Sequence, residues 1–145
     1  MNRLRRALVA AFVLGLARPL AALAAWNKEA FGAKTPADAL KSLGVPNAAP
    51  SGDLHIEAPQ IAENGAVVPI EITSAVPGTT ALIVVIEKNP FPLAARFDFK
   101  EGALPFVKVN VKMGETSDIR VLAEAAGRYY SATKEVKVTI GGCGG

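Results

Sequence analysis

The chain predicts an all-β protein, an antiparallel β-sandwich preceded by a short helix. Three observations carry that reading. From Asp53 onward, short apolar stretches near 53–58, 66–74, 80–88, 94–100, 106–112, 117–125 and 129–140 recur at strand spacing. Between them stand turn signals: Glu63-Asn64-Gly65, Pro77-Gly78, Asn89-Pro90, Glu101-Gly102, Met113-Gly114 and Ala126-Gly127. Many short strands separated in this way suit a sandwich better than alternating βα units. The third observation is strict alternation at 106–112 and 135–140, with the valines inward, which gives each stretch one dry and one wet face.

Each remaining element has its own justification. Leu82-Ile83-Val84-Val85-Ile86 has no polar face, so a strand there must be covered on both sides. Either the chain's own helix or the surface of a partner could supply the second cover. The helix is read at 36–43. Thr35 suits the N-cap, Pro36 the first helical position, Asp38 the N-terminal dipole and Gly44 the position after the last turn. Before it, 26–31 is short and amphipathic; after it, 46–52 is a Pro/Ala/Ser/Gly linker.

The first 24 residues stand apart from this pattern. Arg3, Arg5 and Arg6 precede an apolar run at 7–17, too short to span a membrane, and Ala22-Leu23-Ala24 is a small-residue cleavage site. Together they predict a secretory signal peptide over 1–24. Arg5-Arg6 with Leu8 forms a loose twin-arginine motif, with Leu4 where Ser or Thr would strengthen it; a general secretory (Sec) signal is the alternative. The domain plan is therefore signal 1–24, helical segment and linker 25–52, sandwich 53–140 and tail 141–145.

Removing the signal changes the electrostatics. The 145-residue chain has 16 Lys and Arg against 13 Asp and Glu, and four of the arginines (Arg3, Arg5, Arg6 and Arg18) lie in 1–24 with no acid. The remainder carries 12 against 13, a net −1. No basic stripe points to nucleic acid or to an anionic membrane once the signal is gone. The expected location is the periplasm, an oxidising compartment.

The tail is Gly141-Gly142-Cys143-Gly144-Gly145, and Cys143 is the one cysteine of the chain. Glycine has no side chain to pack and loses the most backbone entropy on ordering. The five residues therefore read as an arm tipped by one thiol, with Cys143 roughly 10 Å past Ile140 when extended. A thiol of ordinary pKa, about 8.5, is partly thiolate at neutral pH and nucleophilic. Catalysis by Cys needs a base in reach. The one histidine, His55, reads as a surface or half-buried strand residue, and the pair makes a poor metal site. No cofactor is expected.

The thiol is thus better placed to carry a group than to transform one, and glycines on both sides let it enter a narrow cleft. Two other readings stay open. One is an interaction module whose Cys143 makes an intermolecular disulfide. The other is a sulfur carrier loaded as a thiocarboxylate on Gly145. Catalysis by Cys143 with His55 conflicts with the fixed geometry that catalysis requires.

The GGCGG tail, together with three internal stretches, resembles the SoxY family of the bacterial Sox thiosulfate-oxidation system. The internal stretches are 59–65 with Val67-Val68-Pro69-Ile70, then 87–97 (EKNPFPLAARF), then 130–140 (YSATKEVKVTI). The resemblance implies an immunoglobulin-like fold and a heterodimer with a SoxZ-type subunit. It implies that Cys143 holds the pathway intermediates on the Gly141, Gly142, Gly144 and Gly145 arm. It also implies visits from the c-type haem enzyme SoxAX, which joins thiosulfate to the cysteine, and the hydrolase SoxB, which releases sulfate. Where present, a sulfane dehydrogenase oxidises the remaining sulfur. The carrier itself is then no enzyme.

Overall fold

The computed structural model describes residues 26–45 and 47–139. Among these residues two short helices, α1 (Lys28–Gly32) and α2 (Pro36–Ser42), precede nine strands in chain order. These are β1 (Ala49–Pro50), β2 (Leu54–Glu57), β3 (Ile61–Ala62), β4 (Val68–Ser74), β5 (Thr79–Ile86), β6 (Leu93–Asp98), β7 (Phe106–Val111), β8 (Ser117–Ala125) and β9 (Arg128–Val138). One sheet runs β1-β9-β8-β5-β6, with β3 also on β9; the other runs β2-β4-β7. The two sheets face each other as an immunoglobulin-like sandwich.

The core between the sheets follows from alternation. Ile70 and Ile72 of β4 and Val107 of β7 point inward from the small sheet, and meet Leu82, Val84 and Val121 of the large one. Intervening residues such as Lys108 and Asn110 are exposed. The β8–β9 hairpin closes in two residues, Ala126 and Gly127, both at positive φ (49° and 72°). That is the primed turn whose twist matches the flanking strands.

β5 is buried on both faces from Ala81 to Ile86. Leu82, Val84 and Ile86 face the sandwich interior, whereas Ile83 and Val85 face a second core with Leu122, Ala30, Ala39 and Val45. The second cover is therefore the chain's own helical segment, and β5 leaves no apolar face for a partner. Burying each of these aliphatic side chains is worth about 1.5–3 kcal/mol.

Local chemistry holds the helices in place for this task. Thr35 Oγ1 accepts the Asp38 N–H at 3.1 Å and donates to Asp38 Oδ2 at 2.8 Å, so cap and third residue satisfy each other. At the other end the Gly44 N–H reaches Lys41 O and the Val45 N–H reaches Leu40 O, both at 2.9 Å. Gly44 sits at φ 72°, which completes a Schellman closure and drives Val45 into the core. Asn27 ties the two helices together. Its Oδ1 accepts the Ala30 N–H, and its Nδ2 donates to Ser42 O at 2.8 Å.

The structure corrects the sequence expectation in three places. One helix was expected and two form among the described residues, because 26–31 contains the start of α1. Part of the stretch expected to be a linker, Ala49–Pro50, is a strand. That strand and β3 pair parallel to β9 in an otherwise antiparallel fold, Ala49 opposite Tyr130 and Ile61 opposite Lys137. A two-residue strand cannot display alternation, and Ala49, Pro50 and Ile61 are exposed, so neither carries a hydrophobic signal. Their effect is on β9, whose outer edge would otherwise present unpaired backbone groups.

Candidate functional site

The tail that the sequence singles out, Gly141 to Gly145 with Cys143, lies outside the described residues. What the structure describes is its root, the end of β9 as far as Thr139. The pairing of β9 with β8 reaches Ser117 opposite Val136 and goes no further. Beyond it, β3 takes over on the other side: the Lys137 N–H donates to Gln60 O at 3.0 Å and the Thr139 N–H to Ala62 O at 3.1 Å. The Thr139 hydroxyl stands 3.5 Å from the same carbonyl. The Val138 N–H points the opposite way and finds Thr116 Oγ1 at 3.0 Å.

A second layer supports these ties. The Met113 N–H donates to Gly65 O at 2.7 Å. Around Met113 the Asn89 amide makes a bridge, Nδ2 donating to Lys112 O at 2.7 Å and Oδ1 accepting the Gly114 N–H at 3.1 Å. Met113 itself is buried among the core residues. Gly65 lies so close that a β-carbon there would overlap the Met113 carbonyl and stand 2.9 Å from Val138 Cγ1. All three internal stretches of the resemblance thus meet at this end of the sandwich: 59–65 through Gln60, Ala62 and Gly65, 87–97 through Asn89, and 130–140 through Val138 and Thr139.

Gly65→Ala is accordingly expected to cost about 1–3 kcal/mol, the usual range for forcing extra volume into a packed site. Denaturant unfolding measures it, and a loss below about 0.5 kcal/mol would show that the loop simply moves aside.

The groups that tie the root are backbone amides, carbonyls, hydroxyls and one carboxamide. None titrates near neutral pH, so the anchoring is insensitive to pH there. Charge pairs serve the sheets instead. Arg96 lies 2.8 Å from Asp98 and 2.9 Å from Glu124. Burial lowers the pKa of its guanidinium, but the hydrogen bonds to Asp98 and Glu124 outweigh this and hold it above its usual value. On the small sheet, Lys108 pairs with Glu71 across β7 and β4, and that hydrogen bond raises the lysine's pKa.

His55 is exposed on β2 and lies opposite Thr73. Thr73 is near the end of β4, whereas Val68, three residues after Gly65, begins it. His55 therefore belongs to the far half of the small sheet, away from the start of β4 that lies by the root. Among the described residues no cluster of three His, Cys, Asp or Glu could hold a metal, and no helix is long and apolar enough to cross a membrane. A cleft of about 520 Å³ lies at the other end of β4, β5 and β7, lined by Val76, Thr79, Phe99 and Pro105 among others.

Three residues of this site, Thr116, Asn89 and Gly65, were not visible as functional in the sequence. Asn89 and Gly65 were legible as parts of turn signals; Thr116 had no signal.

Comparison with known proteins fits this geometry. Residues 30–143 match the family model of the sulfur oxidation protein SoxY. The solved sulfur carrier protein SoxY from Chlorobium limicola f thiosulfatophilum is 36% identical, with a TM-score of 0.63 over 70% of this chain and 92% of that one. The superoxide reductase (neelaredoxin) of Ignicoccus hospitalis aligns at 18% identity with a TM-score of 0.53, over 59% of this chain and 79% of that one; that likeness concerns the fold alone. No curated protein matches the chain. With a family match that runs through the whole sandwich to Cys143 and a solved carrier of the same fold, the chain belongs to the SoxY family of sulfur carriers that act in sulfur oxidation.

Proposed function

We propose that this chain carries the intermediates of thiosulfate oxidation covalently on Cys143, in the periplasm, and presents them to other enzymes without catalysing a step itself. The observation that carries the reading is the extent of the family match, 30–143, which takes in the one thiol of the chain. The root geometry supports it. Ties from β3, Thr116 and the Gly65–Met113 contact hold β9 up to Thr139, four residues before Cys143. A thiol so close to a firmly anchored strand end, between paired glycines, suits delivery into a cleft in another protein.

Loading is an oxidation. Cys143–SH and thiosulfate, ⁻S–SO₃⁻, form Cys143–S–S–SO₃⁻ with release of one proton and two electrons. The electrons need an acceptor, and a c-type haem enzyme of the SoxAX kind supplies one. Water then cleaves the terminal S–S bond at a SoxB-type hydrolase, leaving Cys143–S–SH and hydrogen sulfate. A sulfane dehydrogenase would take the remaining sulfur further. A SoxZ-type subunit would complete the carrier as a heterodimer, and the 1–24 segment would direct export by the twin-arginine or the Sec route. Catalysis by Cys143 with His55 finds no support, since β2 holds His55 in the far half of the small sheet.

Intact-mass measurement of the protein from cells oxidising thiosulfate tests this reading. The expected result is a sulfane or thiosulfonate adduct on the last peptide that a thiol reductant removes. A modified terminal carboxyl that survives reduction would overturn it in favour of a thiocarboxylate carrier. Disulfide-linked dimers with no sulfur adduct would overturn it in favour of an interaction module.

A further inference from the structure

The place where β9 leaves the sheet depends on one side chain. β8 begins at Ser117, so it offers β9 no backbone partner beyond Val136. Strand geometry nevertheless turns the Val138 N–H to the β8 side, where it would be left unpaired. Thr116, the residue just before β8, fills the gap with its hydroxyl at 3.0 Å. On the opposite side the support is β3, two residues long, with Ile61 exposed. So short a strand gains little from burial. The Thr116 hydroxyl therefore decides whether the last rung of the ladder is held from both sides or from one.

From this we infer that Thr116 is a positioning residue for the cysteine arm. It acts through Val138 and sets the point at which the chain leaves the sheet towards Cys143. The inference rests on the carrier reading of Cys143 for its functional meaning, though the geometry it invokes does not.

The size of the effect follows from chain length. With the ladder closed through Thr139, four residues separate the anchor from Cys143, at most ~14 Å of extended chain. If the ladder opens at Val138 and the short β3 then gives up its bond to Thr139 as well, the last firm anchor is Lys137, six residues away, with a reach of ~20 Å. The accessible volume grows as the cube of reach, about threefold. The effective concentration of the thiol at a fixed centre in a docked enzyme falls by about the same factor.

Thr116→Val removes the acceptor while keeping the shape, and Thr116→Ser restores it. Because the chain has one cysteine, a nitroxide can be placed on Cys143 without other changes. In the wild type and in Thr116→Ser, its paramagnetic broadening is expected to fall mainly on the amides of 60–65 and 113–115. In Thr116→Val it should weaken there and spread over neighbouring surfaces. Amide exchange at Val138 should quicken at least tenfold in the valine variant and return with serine. Alkylation of Cys143 by iodoacetamide should be unchanged. With a SoxAX-type enzyme and thiosulfate, kcat/KM for the carrier should drop about threefold and recover in Thr116→Ser.

An unchanged broadening footprint in Thr116→Val would overturn the inference, as would unchanged exchange at Val138. Equal melting temperatures of the three proteins establish that the sandwich is intact, and a melting loss shared by valine and serine would also count against a role specific to the hydroxyl. Failure of wild-type Cys143 to take up sulfur would remove the carrier reading but leave the footprint result standing, so the two failures are distinguishable.

Discussion

A Cys143→Ser chain is expected to fold like the wild type and to acquire no sulfur. The thiolate is the nucleophile in thiol chemistry, and a serine hydroxyl can neither ionise usefully near neutral pH nor form an S–S bond. With one cysteine in the chain, no second thiol can substitute, so the loss is complete rather than graded. Stability should be untouched, because four glycines and one cysteine bring almost no side chain to pack, whereas the two apolar cores are built of large aliphatic residues, one between the sheets around Ile70, Leu82 and Val121, the other under the helices around Ile83 and Leu122. Intact mass after incubation with thiosulfate and the loading enzyme, paired with a thermal melt, measures both halves. Residual sulfur on the serine protein would place the attachment elsewhere. A melting temperature lowered by several degrees would mean that the tail packs on the body.

Ile83→Ala should strongly destabilise the isolated chain. Ile83 is fully buried and stands between β5 and the helices, in contact with the cluster that includes Ala39 and Val45. Truncating such a residue removes its transfer energy and leaves a cavity, at a cost of about 2–5 kcal/mol. For a domain whose whole stability is about 5–15 kcal/mol, this is a large fraction. At a few degrees per kcal/mol, the melting temperature should fall by roughly 10–20 °C. The isolated chain is the informative sample. If a partner subunit rather than α1 and α2 covered this face, Ile83 would already be exposed in the free chain and its truncation would change little. A shift below about 2 °C would therefore contradict the covering role of the helices.

Much of the architecture could be read from local chemistry. The stretch 117–125 is β8 to the residue. Thr35, Pro36 and Gly44 bound α2 as their capping preferences require. The alternations at 106–112 and 135–140 put Val107, Val111 and Val136 inside. The ends of other strands were read too long, 66–74 against Val68–Ser74 for instance. Ala66 and Val67 are apolar there but lie outside the strand pairing, and apolar character reports burial preference rather than hydrogen bonding. His55 was legible as an unremarkable strand residue, and it is exposed on β2.

By itself the sequence determined the fold class, the caps of α2, the carrier family through its tail and three internal stretches, and Cys143 as the residue to test. These are properties of adjacent residues: period-two burial, turn and cap preferences, and a short motif. The tertiary structure alone decided that helices rather than a partner cover Ile83 and Val85, and that Ala49–Pro50 and Ile61–Ala62 line the edge of β9. It alone brought Thr116 to Val138 and Asn89 to Gly114, across 22 and 25 residues of chain. Such contacts follow from where strands end relative to one another. β8 starts two residues too late to pair with Val138, and a single hydroxyl occupies the vacant position. No local pattern encodes that offset, because it exists only once both strands are packed against the same core.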